Sequence, residues 1–321
     1  MKHVSILVLK GATVSSIDGS LQIFSRVNDF LKHKGQEPFY RIEVIATEHN
    51  TSIGHGLYAV QANRLLKEVT KSDLIILPTV CGDFGKIVEQ NKDYYDWIID
   101  QYHRGAEVAG LCVGSYCLAA TGLLNGKQCA IHWASAEAFQ QMYPAIHVIA
   151  DKIITDDQAI YTSGGGYSYL NLLLYIIEKH LGREISILAS KMFQIDYERK
   201  DQTPFAIFVG QKQHGDSTVV NAQEFIEANY QEKISVDELS EKNHIGRRTF
   251  ERRFKKSTGN SINEYIQRVR VEAAKRQLEA GRKTINEVIY EVGYSDLNAF
   301  RSVFKKYTGL SPIDYRNKYK A

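Results

Sequence analysis

Two sets of residues in this chain have the types and spacing that chemistry requires. The first is Gly110-Leu111-Cys112-Val113-Gly114-Ser115, a thiol between glycines where a run of β-formers, Glu107 to Leu111, gives way to a helical pattern beginning at Ser115. A side chain on so sharp a strand-to-helix turn is presented at the end of a sheet, and the following helix N-terminus favours a thiolate. His132 follows a short apolar segment, Cys129 to Ile131, and is the candidate base. The same residues fit a plainer reading, a small buried cysteine and a histidine satisfied by backbone, because free cysteine is among the most buried residue types.

The second set is cationic and repeated. Phe250, Phe254, Lys255, Lys256, Thr258, Gly259, Ser261 and Tyr265 recur fifty positions later as Phe300, Phe304, Lys305, Lys306, Thr308, Gly309, Ser311 and Tyr315. A helical step of about 100° per residue puts each phenylalanine pair on one stripe and aims the intervening side chains away from it. In the first copy the outward side chains are Arg248, Arg252 and Lys255, with Glu251 at the margin and Arg247 at the start. In the second they are Asn298, Ser302 and Lys305, with Arg301 at the margin. Arginine forks onto guanine, asparagine pairs with adenine and lysine meets phosphate, so both faces suit a nucleic-acid groove. Two copies make a duplicated module and not a solenoid, which needs three or more.

The charge of the chain divides in the same sense. Residues 219 to 321 hold 20 Lys and Arg against 14 Asp and Glu, a net +6, while residues 1 to 218 hold 20 against 23, a net −3. The basic third is the part expected to meet a polyanion. The four cysteines, at 81, 112, 117 and 129, form no C-x-x-C pair and have no histidine at zinc-finger spacing. Neither a metal site nor a disulfide framework is indicated, and no cofactor is expected. The opening HVSILVL is too short for a signal peptide, and no apolar run approaches the ~20 residues of a membrane span. A cytoplasmic setting without membrane contact is expected.

Residues 3 to 9 read as a strand buried on both faces, and residues 16 to 33 as an amphipathic helix. Tyr40 to Ala46 and LIILP at 74 to 78 read as further strands. A helix around Tyr94 to His103, the strand EVAGL and a helix from Ser115 to about Leu123 follow. Strands alternating with helices predict a mostly parallel sheet covered on both faces, over residues 1–188. Between 189 and 218 the cluster Glu198-Arg199-Lys200-Asp201, then Pro204, Gly210 and Gly215, marks a linker, within which Phe205 to Val209 could pack as a short strand or against the sheet.

In residues 219–321, Ser235-x-x-Glu238, Ser261-x-x-Glu264 and Thr284-x-x-Glu287 are capping-box starts, and Ser311-Pro312 is a cap followed by proline at the first helical position. They predict helices near 219–230, 235–242, 247–257, 262–280, 285–291 and 296–307, and a closing helix. That is an all-α domain with two helix-turn-helix units around one connecting helix, the long helix ending at Gly281.

Asp18-Gly19, Gly-x-Cys-x-Gly at 110–114, LAATGLLNGK at 118–127, His132-Trp133 and IYTSGGGYSYLNLLLYIIEKHLG at 160–182 resemble the PfpI-like, class I glutamine amidotransferase-like domain. GYSDLNAFRSVFKKYTGLSPIDYR at 293–316 resembles the AraC/XylS signature, and the whole chain is similar to the GlxA-like regulators that fuse the two. The resemblance implies a flavodoxin-like three-layer α/β sandwich followed by the bipartite helix-turn-helix domain. It also implies a transcriptional regulator that binds double-stranded DNA, answers to a small-molecule effector and forms a homodimer. Active relatives pair the elbow cysteine with an adjacent histidine or an acid from the first helix; here Val113 follows the cysteine and Gln22 replaces a carboxylate. The family's glycine pair after the strand at 74–78 reads Thr79-Val80-Cys81-Gly82. No residue is therefore assigned to catalysis, and Asp18, Gln22, Cys112 and His132 are candidates for lining a ligand pocket. The alternatives are a thiol hydrolase or isonitrile-hydratase-like enzyme using Cys112, or a redox sensor at the same thiol.

Overall fold

The computed structural model describes residues 1–199, 201–212 and 214–320 and divides into two compact units, Met1–Gln202 and Thr203–Ala321. In the first unit β1 (Lys2–Leu7) leads into the amphipathic α1 (Val14–His33) and then β2 (Tyr40–Ala46). A hairpin of β3 (Asn50–Ile53) and β4 (Tyr58–Gln61) precedes the two-residue β5 (Arg64–Leu65), followed by β6 (Leu74–Leu77), α2 (Phe84–Gln90) and α3 (Tyr95–His103). Next come β7 (Glu107–Gly110), α4 (Ser115–Ala120), β8 (Gln128–Cys129), α5 (Ala136–Met142), β9 (His147–Val148), β10 (Ile154–Asp157) and β11 (Ile160–Ser163). Two packed helices, α6 (Tyr169–Leu181) and α7 (Arg183–Phe193), complete the unit.

The main sheet has the order β10-β11-β7-β6-β1-β2-β5, parallel throughout except that β10 pairs antiparallel with β11. The buried apolar runs of β1 and β6 sit at its centre, with Ile6 opposite both Val44 and Ile76. Helices α1, α6 and α7 pack with one another, as α2 and α3 do with α4, which gives the three layers. The predicted sandwich is thus present. α4 stops at Ala120, ahead of the turn at Gly122 (φ +78°), and so is shorter than the pattern to Leu123 suggested. β8 begins one residue before Cys129 and pairs with β9 outside the main sheet.

The second unit is helical: α8 (Ser217–Asn229), α9 (Val236–Lys242), α10 (Arg247–Thr258), α11 (Ile262–Ala280), α12 (Ile285–Glu291), α13 (Leu297–Thr308) and α14 (Pro312–Tyr319). The caps read from sequence are made: Ser235, Ser261, Thr284 and Ser311 each accept the N–H three residues on, and Ser261 and Thr284 form reciprocal boxes with Glu264 and Glu287. Each such cap contributes about 1 kcal/mol and fixes where its helix starts.

A free linker over 189–218 is not what the structure contains. α7 packs on α1 and α6, and Gln202 is buried against the first unit, donating to the Ile131 carbonyl (2.7 Å) and accepting from Gly165 (3.1 Å) and Trp133 (3.2 Å). The following residues belong to the second unit. Buried Lys275 of α11 donates to the Ala206 carbonyl (2.7 Å) and to Glu272 (2.9 Å), and Glu272 accepts the Phe208 N–H (3.1 Å). Thr203–Phe205 form a single 3-10 turn, not a strand, and Phe208 packs on the core of the first helix-turn-helix. The charged cluster misled because one buried glutamine and one buried lysine anchor its two flanks; Lys200 lies outside the described residues. Glu272→Ala leaves the Lys275 ammonium half-satisfied in the interior, and is expected to destabilise the second unit by roughly 3 kcal/mol. Urea denaturation of the full chain, followed by a probe in α11, measures it.

Candidate nucleic-acid interface and cysteine elbow

The sequence duplication is a duplication of contacts. In α10 the buried residues are Phe250, Phe254 and Thr258; in α13 they are Phe300, Phe304 and Thr308. Phe254 meets Tyr265 edge-on at 5.4 Å, and Phe304 meets Tyr315 edge-on at 5.4 Å. Tyr265 donates to Glu227 and Tyr315 to Glu279, both at 2.6 Å. Thr258 and Thr308 turn their hydroxyls back onto the Phe254 and Phe304 carbonyls, and Gly259 (φ +67°) and Gly309 (φ +70°) take the left-handed turn that ends each helix.

With one face so fixed, the opposite face of each helix is exposed. Arg248, Arg252 and Lys255 on α10 have no ion-pair partner among the described residues, and neither have Arg301 and Lys305 on α13, where Asn298 and Ser302 also face solvent. Arg247 is held instead by Asp237 (3.0 Å) and Glu251 (3.4 Å). Arg253, which the sequence did not single out, clamps Asp216, the cap of α8, through two bonds of 2.9 and 2.7 Å. Asp296 caps α13 by accepting from Asn298 and Ala299, so the first turn that carries Asn298 is fixed.

Between the two units of the repeat runs α11. Its Arg270 donates to the Tyr230 and Glu232 carbonyls, both at 2.7 Å, and lies over the Tyr294 ring at 5.2 Å. Arg268 lies over Tyr307 of α13 and over Phe208, and Tyr307 donates to Gln267 at 3.2 Å. These residues set the relation between the two outward faces. Sequence reasoning missed them because their partners lie more than 20 and mostly about 40 positions away, where no periodicity reaches.

At the carboxyl edge of the main sheet Cys112 occupies the turn after β7 with φ +52°, a left-handed backbone held by its N–H bond to Ser163 (2.8 Å). Gly114 is required there: a Cβ would stand 2.2 Å from the Pro78 carbonyl oxygen. The thiol is buried, and burial raises its pKa, against the opposing pull of the Thr79 hydroxyl and the N–H groups of Val113 and Gly166. Desolvation prevails, so the elbow holds a thiol and not the thiolate that a helix N-terminus alone would favour.

The pocket candidates are not brought together around it. His132 accepts the Ala134 N–H on Nδ1 (3.1 Å), packs its ring on Gly165 and is held toward its neutral form by burial; it makes no hydrogen bond to Cys112. Asp18 and Gln22 are exposed on α1 and touch each other at 3.4 Å. Both were assigned to the pocket from their place in a motif, but the rotation of α1 turns them outward. Among the buried residues of α1 is Ser16, whose Oγ accepts the Thr79 N–H at 3.1 Å.

A parallel sheet with a cysteine elbow, followed along the chain by a twofold-repeated helix-turn-helix, defines a two-domain class in which an α/β module precedes a helix-turn-helix module. The DJ-1/PfpI family model matches residues 23–179 and a helix-turn-helix domain model matches residues 239–318. The chain therefore carries a DJ-1/PfpI family domain followed by a helix-turn-helix domain of the AraC type. It is 29% identical to the HTH-type transcriptional regulator GbdR of Pseudomonas aeruginosa over 74% of this chain; the match spans 65% of that protein's length. It is 23% identical to the HTH-type transcriptional regulator CdhR of the same species over 97% of this chain and 90% of that one. A solved THiJ/PfpI family protein from Pseudomonas syringae superposes with a TM-score of 0.51 at 19% identity, covering 62% of this chain and 76% of that one, and shares the fold.

Of the four free cysteines only Cys81 is exposed. Iodoacetamide at neutral pH is expected to label Cys81 first and to leave Cys112, Cys117 and Cys129 unmodified in the folded chain. Peptide mass mapping reads this, and rapid labelling of Cys112 would show that its thiol is neither buried nor protonated as described.

Proposed function

We propose that this chain is a sequence-specific transcriptional regulator that binds double-stranded DNA through α10 and α13, with the first unit as its sensory domain. The observation that carries the reading is the pair of outward faces, Arg248, Arg252 and Lys255 on one helix and Asn298, Arg301, Ser302 and Lys305 on the other, mounted on the same buried scaffold. The 19-residue α11 that joins them is roughly 28 Å long, close to the ~34 Å of one duplex turn, so the two helices suit successive major grooves on one face. A small-molecule effector, a homodimer and a cytoplasmic location complete the proposal.

The proposal assigns no catalytic turnover to the first unit. Its support is the absence of a hydrogen-bonded base at Cys112 and the raised thiol pKa, which leave no activated nucleophile. A Cys112-dependent rate on small amides, peptides or isonitriles would overturn that part.

The two helices divide their labour. Arg252→Ala is expected to cost ~1 to 3 kcal/mol at the cognate site and to relax preference at one or two base positions, as loss of a bidentate base contact does. Lys305→Ala is expected to weaken all sequences alike and to flatten the salt dependence by about one unit, because a lysine on phosphate carries no sequence information. Affinities on cognate and scrambled duplexes at several salt concentrations check both; equal loss on the two duplexes for Arg252→Ala would make it a phosphate clamp only.

A further inference from the structure

The first unit has an opening at the carboxyl edge of its sheet that neither Cys112 nor His132 lines. It lies between the β1–α1 and β6–α2 connections, beside the β3–β4 hairpin, with a volume of about 560 Å³. Strand order reverses there, since β2 flanks β1 on one side and β6 on the other. In open parallel sheets the crevice at such a reversal is where small ligands seat.

Its lining is apolar below and carries one ammonium, Lys86, and one carboxylate, Asp83, at the rim. Ala12, Ile53 and Ile87 are buried beneath the opening, and Gly11 takes a left-handed backbone (φ +80°) at which a Cβ would crowd Ile87 at 3.1 Å. Three titratable side chains apart from Cys81 and Tyr58 face the cleft: Asp83, Lys86 and His55. Asp83 caps α2 by accepting the Lys86 N–H at 3.1 Å, while the Lys86 ammonium has no ion-pair partner among the described residues. Nor does an acid in the first turn of α1 offset it, and the Thr13 hydroxyl bonds Ser16 Oγ (3.0 Å) instead of capping that helix.

We propose that this cleft binds a small organic carboxylate with a compact apolar body, the carboxylate toward Lys86 and the body on Ala12, Ile53 and Ile87. A single unpaired ammonium above an apolar floor matches one negative charge on a hydrophobic frame, whereas a phosphate monoester calls for several converging donors. The inference rests on the regulatory reading in that it makes the carboxylate the effector.

The test titrates the full chain by calorimetry with benzoate, phenylacetate and isovalerate, and with the amide of each. At least one carboxylate is expected to bind, its amide about tenfold more weakly. Lys86→Met, at an exposed position, is expected to weaken the carboxylate about tenfold, and Ser52→Trp, which places a ring across the cleft from the exposed hairpin, to abolish binding. Cys112→Ser is expected to leave it unchanged. The inference is overturned if no carboxylate binds, if amides bind equally, if Lys86→Met has no effect, or if Cys112→Ser abolishes binding while Ser52→Trp preserves it. Affinity for a promoter duplex, measured on the same preparations, separates the two readings. DNA binding without carboxylate binding removes the cleft only, and carboxylate binding without DNA binding removes the regulatory role only.

Discussion

The edge-on contact between a phenylalanine of α10 or α13 and a tyrosine in the first turn of the helix that follows it holds the second unit together. Phe254 on Tyr265 and Phe304 on Tyr315 bury aromatic area that only such geometry packs well, and the tyrosine hydroxyls reach carboxylates on helices that precede them. Because Tyr265 and Tyr315 are buried and donate to Glu227 and Glu279, their hydroxyls stay protonated far above neutrality. α10 and α13 are each thereby pinned by the apolar side, and the opposite side is exposed as a consequence. The backbone that carries each exposed face is fixed by this packing, so little of its conformational entropy remains to be lost.

The middle helix decides how two such faces act together. Arg270 of α11 binds the Tyr230 and Glu232 carbonyls on the side of the first helix-turn-helix and the Tyr294 ring on the second, while Arg268 lies over Phe208 of the first and Tyr307 of the second. Guanidinium groups suit this role, since one planar cation supplies both directed donors and a stacking surface. The Ala206–Phe208 segment is clipped to the same helix by Lys275 and Glu272, so the stretch entering the second unit is ordered against the element that joins the two repeats.

In the first unit the same parallel sheet that brings several loops to one edge also explains why Cys112 is buried. The turn at Cys112 is tight enough to need Gly114 beneath the Pro78 carbonyl, and that tightness buries the sulfur. The amides of Val113 and Gly166 and the Thr79 hydroxyl would stabilise a thiolate, yet burial outweighs them. The separate cleft between the β1–α1 and β6–α2 connections is lined in part by backbone at Gly11, Gly54, Gly56 and Gly82.

What the sequence by itself determined was whatever short-range pattern encodes. The caps at Ser235, Ser261, Thr284 and Ser311, the phenylalanine stripes and the cysteine turn each depend on residues within a few positions, where helix and strand periods act directly. The faces of α10 and α13 were legible for that reason. Tertiary structure alone decided the rest: that Asp18 and Gln22 turn outward while Ser16 turns in, that His132 spends its Nδ1 on Ala134, that Gln202 and Lys275 anchor a stretch that reads as a linker, and that the open cleft lies away from the elbow. These outcomes depend on which side of an element meets the sheet and on partners up to 71 positions apart, and a linear pattern carries neither quantity.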